Sequence, residues 1–171
     1  MQLLALALVV LAVVSANAFT QAQIKFQDET LQHHNKLRTR NCVSPLQLDN
    51  NLSLTAQNYA EYLASRNLFQ HSNNGYGENL YMMSGSAPLG SLHGNAATQS
   101  WYDEINMYNF NQPGFSMQTG HFTQVVWKSS QKLGVGIAFG NGGRTAVVVT
   151  NYYPPGNYMG EFQQNVMRAQ C

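Results

Sequence analysis

The sequence has few charged residues, and it has no long run of one sign. Nine Lys and Arg against eight Asp and Glu leave a net charge of +1 in 171 residues. A chain with no basic cluster lacks the electrostatic footprint of a nucleic-acid-binding protein. We therefore expect no nucleic-acid partner, and a weakly charged polar surface rich in Asn, Gln, Ser and Tyr suits an extracellular protein.

Cysteine is also scarce, since only Cys42 and Cys171 are present. Two cysteines can pair in an oxidising compartment. The sequence does not show whether their Cα atoms come within the ~6 Å that a disulfide requires. A Cys42–Cys171 disulfide and a free or intermolecular Cys171 both remain open at this point.

A long apolar run occurs only at the start of the chain, from Leu3 to Val14. It is shorter than the ~20 residues needed to cross a bilayer, and Ala16-Asn17-Ala18 follows it as a small-x-small cleavage site. Residues 1–18 are therefore predicted to be a cleaved signal peptide, and residues 19–171 a single secreted domain. Asn51-Leu52-Ser53 is a glycosylation sequon, which makes Asn51 a candidate acceptor.

The pattern of apolar residues predicts several helices. One is expected over Gln27–Arg40. A second is expected to be capped by Asp49 or Asn50 and to end near Asn67. A third is expected from about Asn95, and a short one around His121. Residues 69–94 are rich in Gly, Ser and Asn and are expected to form a long irregular connection.

Two strands are predicted near the end of the chain, on either side of the hairpin signal Asn141-Gly142. In the first, Val135 and Phe139 alternate with small residues, as in a half-buried strand; the second, Thr145–Tyr153, is nearly all apolar, as in a central strand. Residues 161–170 read as a polar surface tail. The fold class is therefore α+β, with helices around a small antiparallel sheet, in three layers.

Several short motifs together resemble the CAP superfamily, which comprises the cysteine-rich secretory proteins, antigen 5 and the pathogenesis-related proteins. The stretch from Gly120 to Ser130 is similar to the first family signature. Asn151–Asn157 is similar to the second, although Thr150 stands where many secreted members have a cysteine. Further similar blocks are His34-Asn35 with Arg38, Gly77-Glu78-Asn79-Leu80 and Trp101-Tyr102-Asp103-Glu104-Ile105.

The resemblance extends over most of the chain, and within the superfamily it is strongest to the Golgi-associated pathogenesis-related branch. The predicted signal peptide departs from that branch. The resemblance implies an α-β-α sandwich with a central cleft lined by two histidines and two glutamates, which match His71, Glu78, Glu104 and His121.

This tetrad admits three interpretations. His71 and His121 could bind Zn²⁺ weakly, with Glu78 and Glu104 orienting the imidazoles. The four residues could instead form structural hydrogen-bonded pairs. Metal-dependent or acid–base hydrolysis is the third, and it is disfavoured because the chain has neither a Gly-x-Ser-x-Gly elbow nor a His-Glu-x-x-His helix.

A second candidate site is an aromatic turn. Tyr108, Phe110 and Phe115 have a spacing that resembles the loop with which members of the family bind sterol. Exposed rings on a Pro-Gly turn can insert into a lipid interface, whereas buried rings would only pack the loop against the domain. We expect a secreted, non-enzymatic binder of lipid, sterol or protein ligands. The alternative is an extracellular defence or host-interaction protein that acts by protein–protein recognition.

Overall fold

The computed structural model describes residues 19–171; the predicted signal peptide, residues 1–18, lies outside them. The chain forms five α-helices and four β-strands in this part. The helices are α1 Gln21–Arg40, α2 Asn50–Arg66, α3 Asn95–Asp103, α4 Gly120–Val125 and α5 Phe162–Asn165. The strands are β1 Gln47–Leu48, β2 Gly77–Ser84, β3 Lys132–Gly140 and β4 Thr145–Tyr153, and short 3-10 helices span Glu104–Met107 and Asn141–Gly143.

The ends of the long helices follow local capping chemistry. Asp49 caps α2 by accepting a hydrogen bond from the Leu52 amide at 3.0 Å, and Asn67 ends the helix in the left-handed conformation with φ of 53°. Both ends agree with the sequence prediction. Helix α1 starts earlier than predicted because Thr20 and Gln23 form a reciprocal capping box ahead of its apolar face.

The sheet is mostly antiparallel, as predicted, but it also contains one short parallel pair of strands. Its strand order is β1-β3-β4-β2, and β1 runs parallel to β3 while the other pairs are antiparallel. Strand β2 lies inside the stretch that was predicted to be irregular. Its sequence shows no clear alternation, and its extended form depends on pairing along its whole length with the apolar strand β4.

The helices cover both faces of the sheet and give the predicted three-layer α-β-α sandwich. Helix α2 covers one face, and α1, α3 and α4 cover the other. Strand β3 is buried on both faces rather than half-buried, because Gly134 and Gly136 bring it against the α2 backbone so closely that a methyl group on either would clash. Strand β4 is buried from Thr145 to Tyr152, as expected.

The C-terminal segment is not the simple polar surface tail that was predicted. Phe162 is buried and packs edge-on against Trp127 at 5.1 Å between ring centroids. At the end of the chain Cys171 forms a disulfide with Cys42, whose Cα atom is 5.5 Å away. The bond ties the last residue to the end of α1.

No helix within residues 19–171 is long and apolar enough to cross a membrane.

Candidate functional site: two histidine–glutamate pairs

The first pair joins His121 of α4 to Glu104, which begins the 3-10 helix after α3. Glu104 Oε1 lies 2.7 Å from His121 Nδ1. Its other oxygen accepts hydrogen bonds from the backbone amides of His121 and Phe122, both at 3.1 Å. Thr119 at the N-cap position gives α4 no side-chain cap. Glu104 therefore supplies the cap and fixes the imidazole with the same carboxylate.

The indole of Trp101 packs against the imidazole of His121. Its ring stacks on the His121 imidazole with centroids 6.3 Å apart and planes 24° from parallel. The indole N–H donates to the Leu80 carbonyl of β2 at 3.1 Å. The orientation of His121 is thus set by elements from three parts of the chain.

The second pair joins His71, in the segment before β2, to Glu78 at the start of that strand. Glu78 Oε1 lies 2.7 Å from His71 Nδ1 and also accepts from the Ser72 amide at 2.9 Å. Its Oε2 accepts from the Ser72 hydroxyl at 2.5 Å. Because this hydroxyl donates to the carboxylate, Ser72 is not paired with an imidazole as a nucleophile would be with its base.

The two pairs differ in exposure. The side chain of His71 is 57% exposed, and that of Glu78 is 6% exposed. His121 and Glu104 are 33% and 18% exposed. The hydrogen bond to Glu78 raises the pKa of His71, and partial burial opposes this rise. Burial would raise the pKa of Glu78, but the hydrogen bonds from His71 and Ser72 outweigh it and hold that pKa below its ordinary value.

Asn79 lies between the pairs. It follows Glu78 in β2, and its side-chain amide donates to the His121 carbonyl at 3.1 Å. The structure thus brings the predicted tetrad to one region as two separate pairs. Within residues 19–171, no three His, Cys, Asp or Glu side chains are grouped closely enough to hold a metal ion.

The donor set still matches part of what zinc requires. Each imidazole has its Nδ1 held by a carboxylate, which is how proteins orient histidine ligands and leaves Nε2 for the metal. A stable zinc site needs at least three protein ligands, and this arrangement offers two. It therefore does not fit a structural zinc centre.

The aromatic turn is mostly a packing feature. Tyr108 is buried, and Phe110 packs edge-on against it with ring centroids 4.8 Å apart. Both rings also contact Phe122 of α4. Of the three predicted aromatic residues, only Phe115 is exposed, at 51%.

A buried polar network supports the site, and no pattern in the sequence predicted its role. His34 of α1 contacts the Thr30 carbonyl through Nδ1 and the Tyr152 hydroxyl through Nε2, both at 2.9 Å. Burial lowers the pKa of His34 to about 3 and raises that of Tyr152. The neutral imidazole can therefore accept from Tyr152, whose oxygen in turn accepts from Asn79 at 3.3 Å. Their similarity to a family motif was the only signal in the sequence.

Arg38 is the second buried group. Its guanidinium donates to the backbone carbonyls of Ser44, Val125, Trp127 and Ser130 at 2.8 to 3.1 Å. Burial lowers the pKa of Arg38 to about 10, so it remains charged at neutral pH. These bonds join α1 to the end of α4 and the segment that leads into β3.

The predicted acceptor Asn51 is exposed in the first turn of α2, whereas Ser53 of the same sequon is fully buried.

Comparison with known proteins agrees with this fold. Residues 31–153 match the family described as CAP, the cysteine-rich secretory protein family. The chain is 41% identical over 152 residues to the human Golgi-associated plant pathogenesis-related protein 1, an alignment covering 85% of this chain and 95% of that protein. It is 38% identical over 132 residues to pathogenesis-related protein 1 of Arabidopsis thaliana, covering 77% and 78% of the two chains.

Solved structures share the fold at lower identity. The structure of BmVAL-1 superposes with a TM-score of 0.72 at 24% identity, covering 92% of this chain and 88% of that one. A structure of NaASP2 with Zn²⁺ superposes with a TM-score of 0.69, also at 24% identity, over 88% of this chain and 89% of that one.

Proposed function

Because the chain belongs to the cysteine-rich secretory protein family, CAP, we propose that it is a secreted, non-enzymatic protein that binds lipid or sterol. Two features support secretion. Residues 1–18 have the pattern of a cleavable signal peptide, and Cys42 is bonded to Cys171, as is typical of proteins from oxidising compartments.

The lipid proposal rests on an exposed apolar segment beside His121, which runs from Phe115 to Met117. Phe115 and Met117 are 51% and 89% exposed, and Met107 is 58% exposed. The Phe115 ring lies against Gly120, at a distance of 3.0 Å from the place where a β-carbon on that glycine would be. Large exposed apolar side chains on a loop are typical of surfaces that contact lipid. The contact is therefore assigned to this segment rather than to Tyr108 and Phe110.

The proposal of a non-enzymatic role rests on the chemistry of the pairs. A hydrolase of the serine type needs a hydroxyl hydrogen-bonded to its base. Here the Ser72 hydroxyl donates to Glu78, and the imidazole of His71 is bound to the same carboxylate. The pairs hold their imidazoles in place but present no activated nucleophile.

We also propose that His71 and His121 bind zinc weakly, with Glu78 and Glu104 orienting their rings. When bound there, the ion would supply a positive charge beside the apolar segment. The chain's own contribution is to hold each Nδ1 at 2.7 Å from a carboxylate oxygen.

Vesicle binding tests the lipid proposal. We expect the secreted protein to co-sediment with phosphatidylcholine vesicles, more strongly when they contain cholesterol. Since each buried Phe or Met side chain contributes about 1.5–3 kcal/mol, Phe115→Ser with Met117→Ser is expected to weaken binding at least tenfold. Ile24→Ser changes a residue of α1 that is 38% exposed and serves as the matched control.

Equal binding by the double variant and the control would refute the assignment to this segment. An absence of vesicle binding in the unmodified protein would refute lipid binding altogether. Extracellular protein recognition, for which the partly or fully exposed residues 85–93 offer a surface, would then replace lipid binding as the proposed function.

A further inference from the structure

One edge of the sheet is left uncovered by strands along most of its length. β1 pairs with only the first two residues of β3, and side chains from the helices take over beyond them. Ser53 of α2 accepts from the Val135 amide at 3.2 Å, and Gln27 of α1 donates to the Val135 carbonyl at 3.1 Å. These side chains stand where a neighbouring strand would be.

The next position along this edge is closed in the same way. The carboxamide of Gln57, one helical turn after Ser53, accepts from the Ile137 amide at 2.9 Å and donates to the Ile137 carbonyl at 2.8 Å. A side-chain amide thus pairs with Ile137 just as the backbone amide of an added strand would. It shows that this edge accepts amide groups.

The position after that is open. Backbone groups in a strand alternate in direction, so the N–H and C=O of Phe139 point to the same edge as those of Val135 and Ile137. Within residues 19–171, no side chain bonds to them. Glu61, one turn beyond Gln57, accepts from Gln57 at 2.9 Å instead of reaching the strand.

A cavity of about 520 Å³ lies at this open position. Its volume is within the usual range for ligand sites, and apolar side chains from two elements and one loop form its walls. These are Ala22 and Phe26 of α1, Leu92 in the loop before α3, and Ile137 and Phe139 of β3. Neither histidine–glutamate pair lines it, so it is separate from the site described above.

Two carboxylates, those of Glu29 and Glu61, lie on the rim of the cavity. Glu29 forms a salt bridge with Lys25, and its Oε2 atom lies 3.7 Å from Nδ1 of His93. Glu61 also lines the cavity, and within residues 19–171 it forms no salt bridge. A ligand with a positive group would therefore find a carboxylate available at the rim.

From these features we propose that the cavity is a binding site for an extended peptide that adds one short strand segment to the edge of β3. Its backbone amide pairs with the N–H and C=O of Phe139, one of its apolar side chains enters the cavity, and a nearby Lys or Arg lies against Glu61. The occupant is a peptide because the site combines a strand edge, an apolar pocket and an acidic group. The inference does not depend on the proposed lipid function.

Fluorescence anisotropy with a defined peptide tests the proposal. The probe is a blocked, labelled pentapeptide of threonine with leucine at its second position and lysine at its fourth. We expect saturable binding that is abolished by Ala22→Trp, which places a large side chain at the exposed mouth. Glu61→Gln should weaken binding about fivefold, and it should have no effect on a probe with glutamine in place of lysine.

A substitution in the strand tests the backbone pairing. Phe139→Pro removes the edge N–H without removing a hydrogen bond to β4 and should weaken binding about tenfold beyond the effect of Phe139→Ala. N-methylation of the probe at leucine should weaken its binding by a similar factor. Circular dichroism and urea unfolding establish that each variant is folded.

Three results would overturn the proposal: no saturable binding, binding that Ala22→Trp leaves unchanged, or equal affinity for the methylated and unmethylated probes. Displacement of the probe by dodecanoate, with no effect of Phe139→Pro beyond Phe139→Ala, would also overturn it. The cavity would then hold an aliphatic chain instead of a peptide.

Discussion

Removing the Glu104 carboxylate should both destabilise the fold and release His121. Glu104→Ala deletes two hydrogen bonds to the amides at the start of α4 and one to the His121 ring. Loss of a helix cap costs about 1 kcal/mol, and loss of a partly buried hydrogen bond costs about 1 kcal/mol more. We therefore expect the free energy of unfolding to fall by about 2 kcal/mol, which corresponds to a decrease in Tm of about 4–8 °C.

A second substitution separates hydrogen bonding from charge. In Glu104→Gln, the amide oxygen can still accept from the backbone of α4, but the favourable charge at the helix N-terminus is lost. We expect about half the destabilisation of Glu104→Ala. Asp103→Ala is the control, because Asp103 is exposed and, within residues 19–171, its carboxylate accepts only from Gln99.

Urea unfolding followed by tryptophan fluorescence measures these differences, since Trp101 and Trp127 are both buried. In the NMR spectrum, the ring signals of His121 should shift in Glu104→Ala and stay unchanged in the control. If Glu104→Ala were no more destabilising than Asp103→Ala, then the carboxylate would not be the cap of α4. The description of the pair as a preorganised unit would have to be abandoned.

Two further predictions follow from the other polar groups. Arg38→Met should lower the free energy of unfolding by about 3–5 kcal/mol, because it leaves buried carbonyls without their donor. The control Arg40→Met, at an exposed position, should change the free energy of unfolding by less than about 0.5 kcal/mol. Similar values for the two variants would contradict the role of Arg38. In calorimetric titrations near pH 7.5, zinc should bind saturably to the unmodified protein and should not bind to the double variant His71→Ala with His121→Ala. The affinity for zinc should fall as pH falls through the raised pKa of His71, and Glu78→Gln should move this pH dependence to lower pH. No heat of binding in the unmodified protein would refute the zinc proposal. The His71–Glu78 interaction needs a protonated imidazole and an ionised carboxylate, and it raises the pKa of His71 and lowers that of Glu78. It should therefore stabilise the fold most between about pH 4.3 and about pH 6.5, the unfolded-state values of Glu and His. This contribution is lost as pH rises through the folded-state value of His71 or falls through that of Glu78.

Much of the fold was predictable because it depends on nearby residues. The Asp49 cap, the left-handed Asn67 and the apolar stripe between them define α2 without reference to anything else in the chain. The hydrophobic run of β4 likewise requires cover on both faces. The motifs around His121 and Glu78 also predicted, through their resemblance to a family, the four side chains of the candidate site.

Contacts between distant segments decided the rest. Strand β2 looked irregular because its extended conformation is stabilised by β4, about seventy residues away. Strand β3 looked half-buried because its glycines gave no sign that α2 would pack on their backbone. His34 and Arg38 looked like ordinary polar positions of a helix, and only the packed core turned them into buried hydrogen-bonding centres.

The site shows the same division. Residue type and motif determined that two imidazoles and two carboxylates are present, since the identity of each side chain can be read directly from the sequence. The tertiary structure decided that they stand as two pairs joined through Asn79, that Phe115 is exposed while Tyr108 is buried, and that the β3 edge remains open at Phe139. These outcomes depend on which surfaces meet across long separations in the chain, and the periodicity of a single segment carries no information about its partner.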